Sequence, residues 1–143
     1  MAITYLNVST PSCGELTEVA HNVFWLRSPM PFALDHINLW LIKEHNSWTV
    51  IDTGMNLKAS KQIWLDVVAT RLDGLPIEKI ICTHMHPDHL GLAGWLCEEY
   101  GATLYMSSGE FEAFSAITQM INENNFERDF SFFSQGGLTG KQL

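Results

Sequence analysis

Thr83-His84-Met85-His86-Pro87-Asp88-His89-Leu90-Gly91 is the stretch that decides how the rest of this 143-residue chain is read. Four side chains able to ligate a metal stand in its middle, and a glycine follows. The chain has 6 histidines in 143 positions. With aspartates equally sparse, a chance His-x-His-x-Asp-His is expected on the order of once in a few thousand such chains. Ile80-Ile81-Cys82, just before it, reads as the end of a buried strand, where residues two apart share a face. His84 and His86 can therefore offer imidazole nitrogens to one ion. Pro87 suits the first position of a helix, because the N–H it lacks would be unpaired there. Asp88 and His89 then fall in that helix's first turn, where a carboxylate is favoured by the dipole. They point to a second ion beside the first.

The stretch resembles the signature of the metallo-β-lactamase superfamily. Upstream, Val50-Ile51-Asp52-Thr53-Gly54 looks like the family's strand that ends in an aspartate beside the metal site. The resemblance covers about residues 19–106. It implies that His84 and His86 are ligands of a first metal, and Asp88 and His89 ligands of a second. Asp52 matches a supporting aspartate that orients a ligand without being one, and Asp88 is the residue expected to touch and orient the attacking water. The implied cofactor is zinc, as one or two ions, with iron or manganese as alternatives, since His/Asp sites accept all three. The implied reaction is hydrolysis of an ester, thioester or lactone through a metal-activated water. Within the superfamily, Pro31-Phe-Ala-Leu-Asp-His-Ile-Asn-Leu39 looks more like the thioesterase and lactonase-like members.

Members of the superfamily carry further ligands well downstream: a third first-site histidine, a bridging aspartate or cysteine, and a final histidine. After His89 this sequence has no histidine, and its only later aspartate is Asp129. The expectation is therefore a single partial domain over residues 1–143, the N-terminal half of the family's domain. Two readings compete with the hydrolase. One is a catalytically incomplete half-domain with a structural or interaction role, because a catalytic ion ordinarily takes three protein ligands. The other is an iron-dependent oxidoreductase relative.

Composition narrows the partners. The chain is 46% hydrophobic and 17% charged, a globular balance, and its net charge of −8 argues against nucleic acid or an anionic membrane. A small-molecule substrate is expected instead. Cys13, Cys82 and Cys97 form an odd set without a C-x-x-C pair, which fits a reducing compartment. Residues 1–10 lack a basic start followed by an apolar run, and nothing apolar is long enough to span a bilayer. A cytoplasmic location is expected.

The pattern along the chain sets the fold class. Val19–Leu26 has strand chemistry, and Asp35–Ile42 alternates Ile37, Leu39 and Leu41 against His36, Asn38, Trp40 and Ile42. A turn at Asn46-Ser47 leads to Trp48–Asp52. After Gly54 the period changes: Ile63 with Val67 and Trp64 with Val68 predict an amphipathic helix to about Leu72. Ile77–Cys82 is the strand that delivers the motif. A helix is predicted from Pro87 to Tyr100, a strand over Ala102–Met106, and a third helix with Phe111, Phe114, Ile117 and Ile121 inward. His21 and His45 read as surface residues, His36 and Asn38 as an ordinary strand pair or a pocket lining, and Cys82 and Cys97 as small buried residues.

The expected class is α/β (α+β), one mixed sheet with helices on one face, half of the family's αββα sandwich. Such a half leaves an apolar sheet face uncovered. A homodimer packed sheet to sheet is the expected way of covering it.

Overall fold

The computed structural model describes residues 9–122. It divides at Ser107 into two compact units. The first contains a single six-stranded sheet in sequence order: β1 (Leu16–Ala20), β2 (Val23–Pro29), β3 (His36–Lys43), β4 (Trp48–Ile51), β5 (Ile77–Ile81) and β6 (Thr103–Tyr105). The first four strands form an antiparallel meander, while β5 and β6 run parallel to β4. Parallel neighbours need crossovers, and helices supply them. Helix α1 (Lys58–Arg71) joins β4 to β5. Between β5 and β6 lie α2 (Pro87–Leu90) and α3 (Ala93–Tyr100). The second unit opens with α4 (Ser108–Asn122).

One face of the sheet is the core side. Leu26, Leu39, Leu41, Trp48, Val50 and Ile80 from the strands are buried there with Trp64 and Val67 of α1 and Leu92, Ala93 and Leu96 of the α3 region. The opposite face is different. Register places Thr17, Trp25, Trp40, Ile51, Ile81 and Tyr105 directly opposite one another, strand by strand, as one row across the whole sheet. Trp25 and Trp40 stack with centroids 6.1 Å apart. Ile81 is 38% exposed and Tyr105 50% exposed. Beside the row, Lys79 pairs with Glu44, which also accepts the Thr49 hydroxyl. This is one mixed sheet with its helices on one face, as the sequence implies, and among the described residues the row on the far face is half-buried at Trp25, Trp40 and Ile51 and exposed at Ile81 and Tyr105.

Three local expectations need correction. The strand expected over Val19–Leu26 is two strands: His21-Asn22 forms a two-residue turn, with Asn22 in the left-handed region at φ 61. Asparagine tolerates that region, and the Asn22 amide donates to Glu18 Oε1. Alternation of apolar residues continues through so short a hairpin, which hides it. The helix expected over Pro87–Tyr100 is broken at Gly91-Leu92, because Thr53 captures the backbone groups that would have continued it. The inward stripe expected on α4 is not inward: Phe111, Phe114 and Ile117 are exposed, and the side chain of Ile121 lies outside the described residues. The aromatic tail after Asn122 also lies outside them.

Candidate metal centre

The ligand turn leaves the C-terminal end of β5, next to the C-terminal end of β4. In open sheets with parallel strands this is the edge where ligands bind. The two strand ends are tied together at Asp52, whose amide donates to the Ile81 carbonyl (2.9 Å). Asp52 holds φ 60, a left-handed conformation in which aspartate is better tolerated than most residues. That turn of the backbone sends its carboxylate, 5% exposed at the residue level, under the ligand turn.

There the carboxylate accepts three donors. The Thr83 amide reaches Oδ1 at 2.8 Å, the Thr83 hydroxyl sits 3.0 and 2.9 Å from the two oxygens, and His89 Nδ1 is 2.8 Å from Oδ2. An ionised carboxylate only accepts, so His89 carries a proton on Nδ1, and Nε2 is the nitrogen left to face away from Asp52. That Nε2 lies 3.3 Å from Asp88 Oδ2. Across the turn, His84 Nε2 lies 3.1 Å from His86 Nδ1. The His84 and His89 rings are 3.9 Å apart between centroids, so the two pairs are neighbours.

These separations bear on whether the residues suit a metal. Nitrogen and oxygen ligands on a tetrahedral zinc at about 2.0–2.2 Å stand about 3.3 Å from each other. Both pairs, His84 with His86 and Asp88 with His89, have that separation. Their donor types, imidazole and carboxylate, are those that zinc, iron and manganese take. The donors come as pairs, however: among the described residues, no group of three or more His, Cys, Asp or Glu side chains is placed to hold an ion.

Thr53 and two glycines fix the turn from below. The Thr53 amide (2.8 Å) and hydroxyl (2.7 Å) both donate to the His89 carbonyl, and the Leu92 amide donates to the same hydroxyl at 3.1 Å. In an unbroken helix that carbonyl would be the acceptor for a residue four further on. Its capture ends α2 and sets His89 at its angle. The Thr53 carbonyl is held by the indole of Trp64 at 2.8 Å. Gly54, at φ 85, has the Ser28 hydroxyl 3.0 Å from where a Cβ would be. At Gly91 a Cβ would lie 2.2 Å from the Pro87 carbonyl oxygen and 3.0 Å from backbone atoms of both Asn56 and Gly54.

The remaining sequence candidates fall outside the centre. His21 and His45 are exposed. His36 pairs with Asp35 at 2.7 Å, which holds the Asp35 carboxyl below its usual range, and Asn38 accepts the Trp25 indole N–H. The three cysteines are free. Cys82 is buried, and burial together with the Asp52 charge pushes its thiol up to about 12, so it is no nucleophile at neutral pH. Two functional residues that local spacing does not reveal are Thr53 and Thr83: the His89 carbonyl that Thr53 holds lies 36 residues away, and the Asp52 carboxylate that Thr83 meets lies 31 residues away.

Comparisons with known proteins show the family. Residues 33–136 match the metallo-beta-lactamase superfamily, most of the chain including both strand ends and the ligand turn. The chain belongs to that superfamily. It is 33% identical over 79 residues to the probable metallo-hydrolase YqjP of Bacillus subtilis (strain 168), covering 54% of this chain and 24% of that one. A beta-lactamase domain protein from Burkholderia ambifaria superposes with a TM-score of 0.71 at 40% identity, over 77% of this chain and 37% of that chain. The metallo-beta-lactamase FIM-1 from Pseudomonas aeruginosa, in its mono-zinc form, has a TM-score of 0.60 at 19% identity, over 71% of this chain and 45% of that chain, which is a likeness of fold. The chain spans about a quarter of the length of its curated relative and about a third of the Burkholderia structure.

Proposed function

We propose that this chain carries the first part of the metal centre of a hydrolase acting on an ester, thioester or lactone. One observation carries the reading: two donor pairs at ligand separation, His84 with His86 and Asp88 with His89, stand side by side, with His89 held by the buried Asp52 carboxylate. Zinc is the ion proposed first, as in the mono-zinc form of FIM-1. Bound here, metal ions supply Lewis-acid polarisation and a nucleophile at neutral pH. The chain's own residues do the rest. Asp52 fixes the proton of His89 on Nδ1, and Asp88 is placed to accept a proton from a water held beside it. A groove of about 580 Å³ opens next to Thr83, lined by Lys79, Ile81, Cys82, Tyr105, Met106 and Ser107. Its apolar residues Ile81 and Tyr105 belong to the Trp25–Tyr105 row of the sheet, so the groove is not assigned to substrate, and the net charge of −8 favours a small-molecule substrate over a nucleotide.

The test is elemental analysis of the full chain purified without chelator, beside the His84→Ala/His86→Ala double variant, followed by a screen on thioesters and lactones. The expected result is one or two equivalents of metal, reduced in the variant, with hydrolysis that follows the metal. A chain without stoichiometric metal overturns the reading. Metal without hydrolysis favours the rival, an incomplete half-domain, for which the pairing of donors without a third is the motivating observation.

We propose further that, for this chain by itself, a second copy covers the open face along the Trp25–Tyr105 row. Light scattering at micromolar concentration should give a dimer that Ile81→Lys with Tyr105→Lys dissociates. A stable monomer at that concentration sinks the idea.

A further inference from the structure

The Asp52 carboxylate touches His89 directly, but it does not touch His84. Thr83 stands between them. Its hydroxyl lies 3.0 and 2.9 Å from the Asp52 oxygens and 2.9 Å from His84 Nδ1. A hydroxyl has one proton to give and lone pairs to accept with. Asp52 is acceptor-only and already takes the Thr83 amide and His89 Nδ1–H. The hydroxyl proton therefore goes to Asp52, and the hydroxyl oxygen must accept. That places the His84 proton on Nδ1 and leaves its Nε2 as a lone pair, aimed at the position it shares with His86 Nδ1, 3.1 Å away.

We propose that Thr83 is a positioning residue: its hydroxyl relays the Asp52 carboxylate to His84 and fixes that imidazole in the tautomer whose Nε2 can ligate a metal. The inference rests on the metal-centre reading above and adds to it. One buried carboxylate then sets the tautomer of both pairs, His89 by direct contact and His84 through a hydroxyl. Partners of this kind, lying behind a ligand, commonly change metal affinity about 10–100-fold when removed.

The test compares the full chain with Thr83→Val and Thr83→Ser. Long-range proton–nitrogen NMR at about pH 8, where imidazoles are neutral, reads the tautomer of His84. Titration with Zn²⁺ or Co²⁺ reads affinity. The wild type should show His84 protonated on Nδ1. Valine, which keeps the shape without the hydroxyl, should lose that preference and weaken binding about 10–100-fold, while serine keeps both within about threefold. A wild-type His84 protonated on Nε2 overturns the proposal, and so does a valine variant whose tautomer is unchanged, whatever its affinity. Should the valine variant fail to fold, the wild-type tautomer and the serine variant still decide. Should the chain bind no metal, the proposed function falls while the tautomer measurement continues to judge Thr83.

Discussion

Asp52→Asn is expected to leave the fold standing and to remove most of the metal affinity. Asparagine accepts the left-handed backbone that Asp52 adopts at φ 60, so the strand end keeps its path. The amide, however, has one acceptor oxygen where the carboxylate has two, and its NH₂ must face either His89 Nδ1–H or the Thr83 donors. One donor is left facing another, at about 1–3 kcal/mol. The escape is for His89 to move its proton to Nε2, which blocks the nitrogen that faces Asp88. Metal affinity should fall by about 10–100-fold or more. Asp52→Ala should do worse on both counts. It strips every acceptor from a buried set of donors and puts a residue with no local hydrogen bond into a left-handed conformation, together about 3–5 kcal/mol. Urea unfolding and a metal titration on the two variants separate the effects. An alanine variant as stable as the wild type would refute the central role given to this carboxylate.

Among the glycines of the described residues, Gly91 should be the one where an added methyl does most damage. The added carbon meets backbone on three sides: the Pro87 carbonyl at 2.2 Å, the Asn56 nitrogen and the Gly54 carbonyl at 3.0 Å. Side chains can rotate away from an intruder, and backbone cannot. Overpacking costs about 1–3 kcal/mol where neighbours yield, and this site belongs at the top of that range or above. Relief requires α2 to move off the loop that follows β4, which carries Asp88 and His89 away from Asp52. The loss should therefore appear in metal affinity as well as in stability. Gly94, three residues on and inside α3, is the control. A Cβ there meets nothing within 4 Å, so Gly94→Ala should be neutral or stabilising by up to about 1 kcal/mol. Equal thermal shifts for the two variants would show that the close approach at Gly91 is not what the position demands.

Much of this architecture is legible in the residues themselves. Alternation in Ile37–Leu41 and four-residue spacing in Ile63–Val68 mark β3 and α1. The change of period after Gly54 marks where the meander gives way to crossover helices. Pro87 does open α2, and the four motif residues do lie together at the strand ends. What escapes reading depends on partners distant in sequence. Nothing local to Gly91-Leu92 says that a threonine at position 53 will take both the carbonyl and the amide that a continuous helix needs. Nothing local to Thr83 says that its hydroxyl will sit between an aspartate and a histidine. The stripe on α4 shows a further limit: periodicity reveals which residues share a side of a helix, and not whether anything covers that side.

The clasp formed by Thr53 has a mechanical consequence. Its amide and hydroxyl hold the His89 carbonyl, its hydroxyl holds the Leu92 amide, and its neighbour Asp52 holds Thr83 and His89. The end of β4 and the ligand turn are thus one piece, and neither can flex without breaking the same set of bonds. The tip between β2 and β3 takes no part in that set of bonds and leaves Phe32 and Leu34 exposed, so substitutions there should leave the spacing of the donors as it is.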